Sequence, residues 1–282
     1  MKTKTLYVSD LDGTLLLPEE CLSPFTAETI RKLTAEGMLF SYATARSLST
    51  AKKVTGVLGA LHLPVIVNNG GAIVDAADGK ILEAVYFAQE ETDFVKKVLD
   101  EEGLSPIVYT RPGDMAESEC VSYVNEDLSR AKTFYLNSRK NDERLNTVTR
   151  EQLYSGRVSY IATMEDSRKV CEKAFERILA DGRFSSYLYK DVYSEGWYFE
   201  VGPKRTTKAN AIRRLKEIYG CERVVCFGDG KNDLPMFETA DESYAVKNAD
   251  ESLKAAATAV IDSNKEDGVA KKLLELWEAE CI

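Results

Sequence analysis

Histidine is the scarcest reactive residue in this chain: one, His62, among 282. A Ser-His or Cys-His nucleophile would have to use it. It sits in the apolar stretch "GALHLPV", which reads as a helix end or core imidazole, and no serine or cysteine occupies a GxSxG-type motif. Paired cysteines are missing too. The six present, Cys21, Cys120, Cys171, Cys221, Cys226 and Cys281, are dispersed without a CxxC or another metal-ligand spacing, so they read as reduced, mostly core thiols. No apolar run approaches the ~20 residues of a membrane span, and the N-terminal one meets Asp10 too early for a signal-peptide core. A cytoplasmic location is expected. Positive charge is also short: a formal balance of -9 argues against a nucleic-acid backbone as the main partner and leaves a small anion as the candidate.

What is there is the balance of a globular protein, 44% apolar and 29% charged, at a length that fits one large domain or two modest ones. Strand-like and helix-like patterns alternate from the start. "TLYVS" reads as a strand, "SPFTAETIRKLTAEG" as a helix with Ser23 as N-cap, Pro24 at its first position and Gly37 as its stop, and "MLFSYATAR" as a strand. The helix "STAKKVTGVLGALH", the strand "PVIVNNGG" and a hairpin turning at Asp78 and Gly79 follow. This alternation predicts an α/β fold, a doubly wound, mostly parallel sheet covered on both faces. Residues 86–194 change character and read as an inserted α+β domain, leaving 1–85 and 195–282 as the core. Within the insert, "SRAKTFYLNSRKNDERLNTVTR" reads as a solvated helix and loop rather than an anion patch. The aromatics Tyr187, Tyr189, Tyr193 and Trp197 read as core rather than a sugar platform.

Chemistry gathers at strand ends, where ligands bind in parallel sheets. Four polar stretches fall there: Asp10 to Thr14, Thr44 to Arg46, Asn68 to Gly71 and Gly228 to Asp233. The first, "LYVSDLDGTLLL", places Asp10 and Asp12 inside an apolar run, where a carboxylate loses hydration that only a partner restores. Gly13 lets backbone N–H groups approach an anion. Each carboxylate is ionised at neutral pH without a base, so either can attack directly. "CFGDGKND" supplies Asp229, Asn232 and Asp233, an oxygen-rich loop suited to Mg²⁺, with a helix cap as the plainer reading of Asp233. Thr44 offers a hydroxyl and Lys208 a cation for phosphate oxygens.

In order and spacing these stretches resemble the haloacid dehalogenase-like phosphohydrolases: "DLDGT" is similar to the first motif of that family, "ATAR" to the second, Lys208 to the third and "GDGKND" to the fourth. The tail "AVKNADESLKAAATAVIDSNKEDGVAKKL" resembles the closing segment of its Cof-like subgroup, which carries a large α+β cap between the second and third motifs. Ala209, Val246 and Lys247 depart from the usual glycine and Met-Gly pair. The resemblance implies a phosphatase in which Asp10 is the nucleophile and Asp12 the acid and base. It further implies Mg²⁺ on Asp10, the Asp12 carbonyl and Asp229, with Asn232 and Asp233 beside it. Thr44, Lys208 and Gly13 would hold phosphate, with Arg46 and Asn69 as substrate contacts. The implied cap closes over the site and selects among small phosphomonoesters, such as sugar phosphates, nucleotides or phosphorylated cofactors. The alternatives are a phosphomannomutase-like phosphotransferase, a receiver-type module, and an idle sugar-phosphate binding protein. A monomer or weak homo-oligomer is expected, with no nucleic-acid or membrane partner.

Overall fold

The first strand, β1 (Thr5–Ser9), is buried along its whole length, as an unbroken apolar run demands of a strand covered on both faces. The structure is a computed structural model that describes residues 3–281 apart from 60, 62, 127, 192 and 193, with the side chains of 117 and 281 also undescribed. The readings of His62 and Tyr193 lie outside the described residues. The chain divides into two units, Met1–Ala84 with Thr207–Ile282, and Val85–Thr206.

In the first unit, β1 is followed by α1 (Pro24–Ala35), whose start is fixed by the Ser23 side chain accepting from Thr26 N–H at 3.0 Å and by Pro24 at the first position. Ala27, Ile30 and Leu33 form its buried stripe. Next come β2 (Leu39–Tyr42), α2 (Leu48–Thr55), and the antiparallel strands β3 (Val65–Val67), β4 (Ala72–Val74) and β5 (Ile81–Ala84). The second unit holds α3 (Gln89–Glu101), β6 (Ile107–Arg111), β7 (Cys120–Tyr123), α4 (Arg130–Ser138), β8 (Leu145–Thr147), β9 (Arg157–Glu165), α5 (Arg168–Asp181), β10 (Phe184–Lys190) and β11 (Trp197–Pro203). The chain then returns to the first unit with α6 (Lys208–Tyr219), β12 (Arg223–Gly228), α7 (Leu234–Phe237), β13 (Glu242–Val246), α8 (Glu251–Ala256), β14 (Ala259–Ile261) and α9 (Gly268–Cys281). Among the described residues no helix is long and apolar enough to cross a membrane.

The core sheet runs β14-β13-β12-β1-β2, all parallel. From β1 the chain goes first to β2 on one side, and after the second unit it returns to β12 on the other. Strand order therefore reverses between β1 and β12, which opens a crevice at their carboxyl ends. In register, Ser9 lies between Phe227 and Tyr42, so the residues following β1, β12 and β2 emerge side by side.

The second unit is a six-stranded sheet, β10-β11-β9-β6-β7-β8, antiparallel except for the β7–β8 pair. One face packs Val108, Ile161, Phe199 and Val201 with Val95 and Leu99 of α3 and Cys171, Ala174 and Ile178 of α5. The opposite face carries Ile107, Val121, Ala162 and Met164 against Ala131 and Tyr135 of α4. Three expectations change here. The unit extends to Thr206 rather than 194, because β11 pairs with both β9 and β10. The basic stretch is not wholly solvated: Lys132 is buried and donates to Ser105 O. The aromatic run divides by strand alternation, with Phe184 in the core but Tyr187 and Tyr189 exposed at 62% and 43%. Tyr189 stacks on Tyr198 at 5.8 Å and donates to Glu200 at 2.7 Å.

One glycine ties the two halves of the first unit together. Gly70 has φ +94, and a Cβ there would lie 2.1 Å from Thr207 O at the start of α6. Gly70→Ala is expected to cost about 2 kcal/mol or more from backbone strain and overlap, read as a lower thermal unfolding midpoint. An unchanged midpoint would contradict this packing.

Candidate active site

Asp10 leaves β1 with its N–H donating to Phe227 O at 2.9 Å, which pins the nucleophile candidate against β12. Its side chain is buried, and Lys208 Nζ donates to Asp10 Oδ1 at 2.5 Å and to Asp233 Oδ1 at 2.7 Å. Lys208 is itself buried and stands in the first turn of α6, after the Thr207 hydroxyl has accepted from Asn210 N–H at 3.1 Å. A cation at a helix N-terminus opposes the helix dipole. It is held there by the two carboxylates.

Asp233 is fully buried and stands at the N-cap position of α7, but its side chain makes no hydrogen bond to that helix. Its Oδ2 accepts from Asp229 N–H and Gly230 N–H, both at 3.0 Å, and so folds the "GDGKND" loop around its own carboxylate. Asn232 is exposed on that loop. Asp229 is half-buried, and its Oδ1 accepts from Thr14 Oγ1 at 3.0 Å. Gly13 has φ +78, and a Cβ there would fall 2.2 Å from Asp229 Oδ2, so this close approach of loop and carboxylate requires glycine. Asp10, Asp229 and Asp233 offer oxygen atoms all within 4.8 Å of one another.

The Asp12 side chain turns away from this cluster. Arg46 grips it, with Nε 2.8 Å from Oδ2 and Nη2 2.6 Å from Oδ1, and Arg46 Nη2 also reaches Glu20 at 2.8 Å. Thr44 is buried; its Oγ1 accepts from Arg46 N–H at 3.1 Å, and its carbonyl accepts from Asn69 N–H at 2.8 Å. Asn68 and Asn69 both adopt positive φ, near +52 and +54, which folds the end of β3 back onto the Thr44–Arg46 segment. Asn68 N–H donates to Arg46 O at 2.9 Å in the same turn.

Three carboxylates against one ammonium leave two negative charges uncompensated in a mostly buried site. Burial pushes the Asp10 carboxyl above the usual carboxylate range; Lys208 opposes the shift, while Asp233 and Asp229 add to it. Burial raises Asp229 as well, with the Thr14 hydrogen bond opposing and Asp233 adding. Burial works against the Lys208 ammonium, yet Asp10 and Asp233 outweigh it and hold the amine above its usual range. An all-oxygen donor set with two unbalanced negative charges fits one hard divalent cation.

The structure brings Asp10, Lys208, Asp229 and Asp233 together with Gly13 against Asp229, and gathers Thr44, Arg46 and Asn69, which the sequence shows as two separate stretches, into one adjoining turn. The sequence marks Thr14 only as the end of the polar stretch "DLDGT" without a role, and it offers no signal for Glu20, whose link to Arg46 has no local signature. It also gives no role to Asn248, whose Nδ2 donates to Gly13 O at 2.7 Å.

A sequence profile of the haloacid dehalogenase-like hydrolases matches residues 7–273. A protein of Haemophilus influenzae is 30% identical over 277 residues, covering 94% of each chain. A 5-amino-6-(5-phospho-D-ribitylamino)uracil phosphatase of Bacillus subtilis is 27% identical over 272 residues, covering 93% of this chain and 94% of its own. The crystal structure of a haloacid dehalogenase-like hydrolase from Bacteroides thetaiotaomicron superposes with a TM-score of 0.73 at 22% identity, over 97% of this chain and 99% of that one.

Lys208→Met leaves Asp10 and Asp233 buried without a counter-charge. It is expected to destabilise the metal-free protein by about 3 to 5 kcal/mol, measured by chemical denaturation. A loss under about 1 kcal/mol would contradict the ion-pair account.

Proposed function

The chain belongs to the haloacid dehalogenase-like hydrolases, and from that premise we propose that it is a Mg²⁺-dependent phosphatase of small phosphomonoesters, acting through an aspartyl-phosphate on Asp10. The observation that carries this reading is the buried Asp10 at the switch in strand order, paired to Lys208 and flanked by Asp229 and Asp233. Names of relatives that are phosphatases support the reaction class.

In the first step an Asp10 carboxylate oxygen attacks phosphorus, an Asp10–phosphorus bond forms and the bond to the leaving alcohol oxygen breaks. Asp12 gives that oxygen a proton, the one it takes from water at the end of the preceding turnover. In the second step water attacks phosphorus, Asp12 takes a proton from it, and the bond to Asp10 breaks, returning the carboxylate and releasing phosphate. Lys208 has three N–H donors and spends two on Asp10 and Asp233. The third is left for a phosphoryl oxygen. The Thr44 hydroxyl, which accepts from Arg46 N–H, keeps its own proton to donate. Gly13 brings main-chain N–H to the same group, and Arg46 orients Asp12 while Asn69 lies on the adjoining turn.

Asp10, the Asp12 carbonyl and Asp229 would hold Mg²⁺, with Asp233 and Asn232 supporting them. When bound, the ion supplies positive charge that offsets the charge of the transferring phosphoryl group. The unit Val85–Thr206 is assigned the choice of leaving group, sugar, nucleoside or cofactor, and the cytoplasm is the assigned compartment.

Asp10→Asn is expected to remove phosphate release from a panel of small phosphoesters, with the fold retained by circular dichroism. EDTA is expected to stop the wild-type protein and Mg²⁺ to restore it. Turnover that survives in Asp10→Asn would sink the nucleophile assignment, and chelator-resistant hydrolysis would sink the metal role of Asp229.

A further inference from the structure

The loop that carries Asp10, Asp12 and Thr14 is held from outside by two asparagines near the end of the chain. Asn248, just past β13, donates from Nδ2 to Gly13 O at 2.7 Å. Asn264, just past β14, donates from Nδ2 to Leu16 O at 2.8 Å. The two are joined, since Asn264 N–H donates to Asn248 Oδ1 at 3.0 Å. With its oxygen accepting from Asn264, the Asn248 carboxamide must present its NH₂ to Gly13 O. Three residues on, Asp267 Oδ1 accepts from Ser23 Oγ at 2.5 Å and Thr26 Oγ1 at 2.9 Å, so the segment containing Asn264 secures both the loop and the start of α1.

The carbonyl that Asn248 holds is well placed to matter. Gly13 lies so close to Asp229 that no Cβ fits between them, and the next residue, Thr14, donates to Asp229 Oδ1 at 3.0 Å. Rotation of the Gly13–Thr14 peptide would move that hydroxyl. Asn248 is exposed, so water can satisfy Gly13 O in its place. Water does not fix the direction of the peptide, and the joined asparagines do.

We infer that Asn248 is a positioning residue for Asp229, acting through Gly13 and Thr14, and that Asn264 keeps Asn248 in register. The inference rests on the reading of Asp229 as a Mg²⁺ ligand. Groups that orient a metal ligand without touching the ion commonly change its affinity by about 10- to 100-fold, and an exposed amide belongs at the low end.

The test is Mg²⁺ titration of the metal-free full chain by calorimetry, beside thermal melting of the same samples. Asn248→Ala is expected to weaken Mg²⁺ binding by about tenfold with the metal-free melting temperature unchanged. Asn248→Gln, which keeps the carboxamide, is expected to recover part of the affinity. Thr14→Val combined with Asn248→Ala is expected to bind no more weakly than Thr14→Val alone, because both act on one route. Wild-type affinity in Asn248→Ala overturns the inference, as does full additivity in the double variant. A fall in metal-free melting temperature in Asn248→Ala overturns it in favour of a structural role. A wild-type protein that binds no Mg²⁺ overturns the reading beneath it, a result distinct from unchanged affinity.

Discussion

Lys208 is a lysine ammonium removed from water and shared between Asp10 and Asp233, and the first unit is arranged around the need to hold it. Stripping hydration from such a group costs several kcal/mol unless partners replace it. The three groups come from three places in the chain: Asp10 from the end of β1, Asp233 from the loop after β12, and the lysine from the first turn of α6. Parallel pairing of β1 with β12 brings the first two together, and the close approach of Gly70 to Thr207 sets where α6 begins. Electrostatics leaves the arrangement unfinished. Asp229 brings a third carboxylate within 4.8 Å of the other two, so the folded chain keeps an excess of negative charge at the point where strand order reverses.

The close packing of these side chains against the two loops accounts for the small residues nearby. Gly13 is required because the loop must pass against Asp229, and Gly228 and Gly230 lie where a Cβ would meet the side chains of Asp233 and Asn232. The same loop has Arg46 drawing the Asp12 carboxylate outward toward Glu20. Two aspartates only two positions apart therefore occupy different electrostatic surroundings. Asp10 is buried among carboxylates and one ammonium, and Asp12 is exposed and gripped by a guanidinium.

Much of this was legible in the sequence, because the site is built from strand ends whose identity is set locally. An apolar run broken by "DLDG" and another by "GDGKND" announce carboxylates at strand ends, of which Asp10 and Asp233 are buried while Asp12, expected to lose its hydration too, is exposed; Ser23 with Pro24 marks α1. What could not be read depends on long-range pairing. The grip of Arg46 on Asp12 spans 34 positions and that of Asn248 on Gly13 spans 235, and neither leaves a local pattern. The end of the second unit was missed because "WYFEV" alternates like any strand, and only its pairing with β9 and β10 assigns it. Composition alone points Tyr187 and Tyr189 to the core, whereas strand alternation turns them outward from the side of Phe184. Composition likewise points Lys132 to solvent, although it is buried beside the face of α4 where Ala131 and Tyr135 pack on the sheet.

Ionised together, the carboxylates of Asp10, Asp229 and Asp233 would bring more negative charge than Lys208 neutralises, and on the proposed function a divalent ion completes them. Burial and mutual repulsion raise Asp10 and Asp229, so the metal-free site holds protons at a pH where free carboxylates would have lost them. A divalent ion taken up by the ionised form would expel those protons. The direct measurement is Mg²⁺ calorimetry in buffers of differing ionisation enthalpy across mildly acidic to neutral pH. The account predicts proton release that grows as pH falls through the raised carboxylate range. Mg²⁺ binding with no buffer-dependent heat at any pH would contradict it.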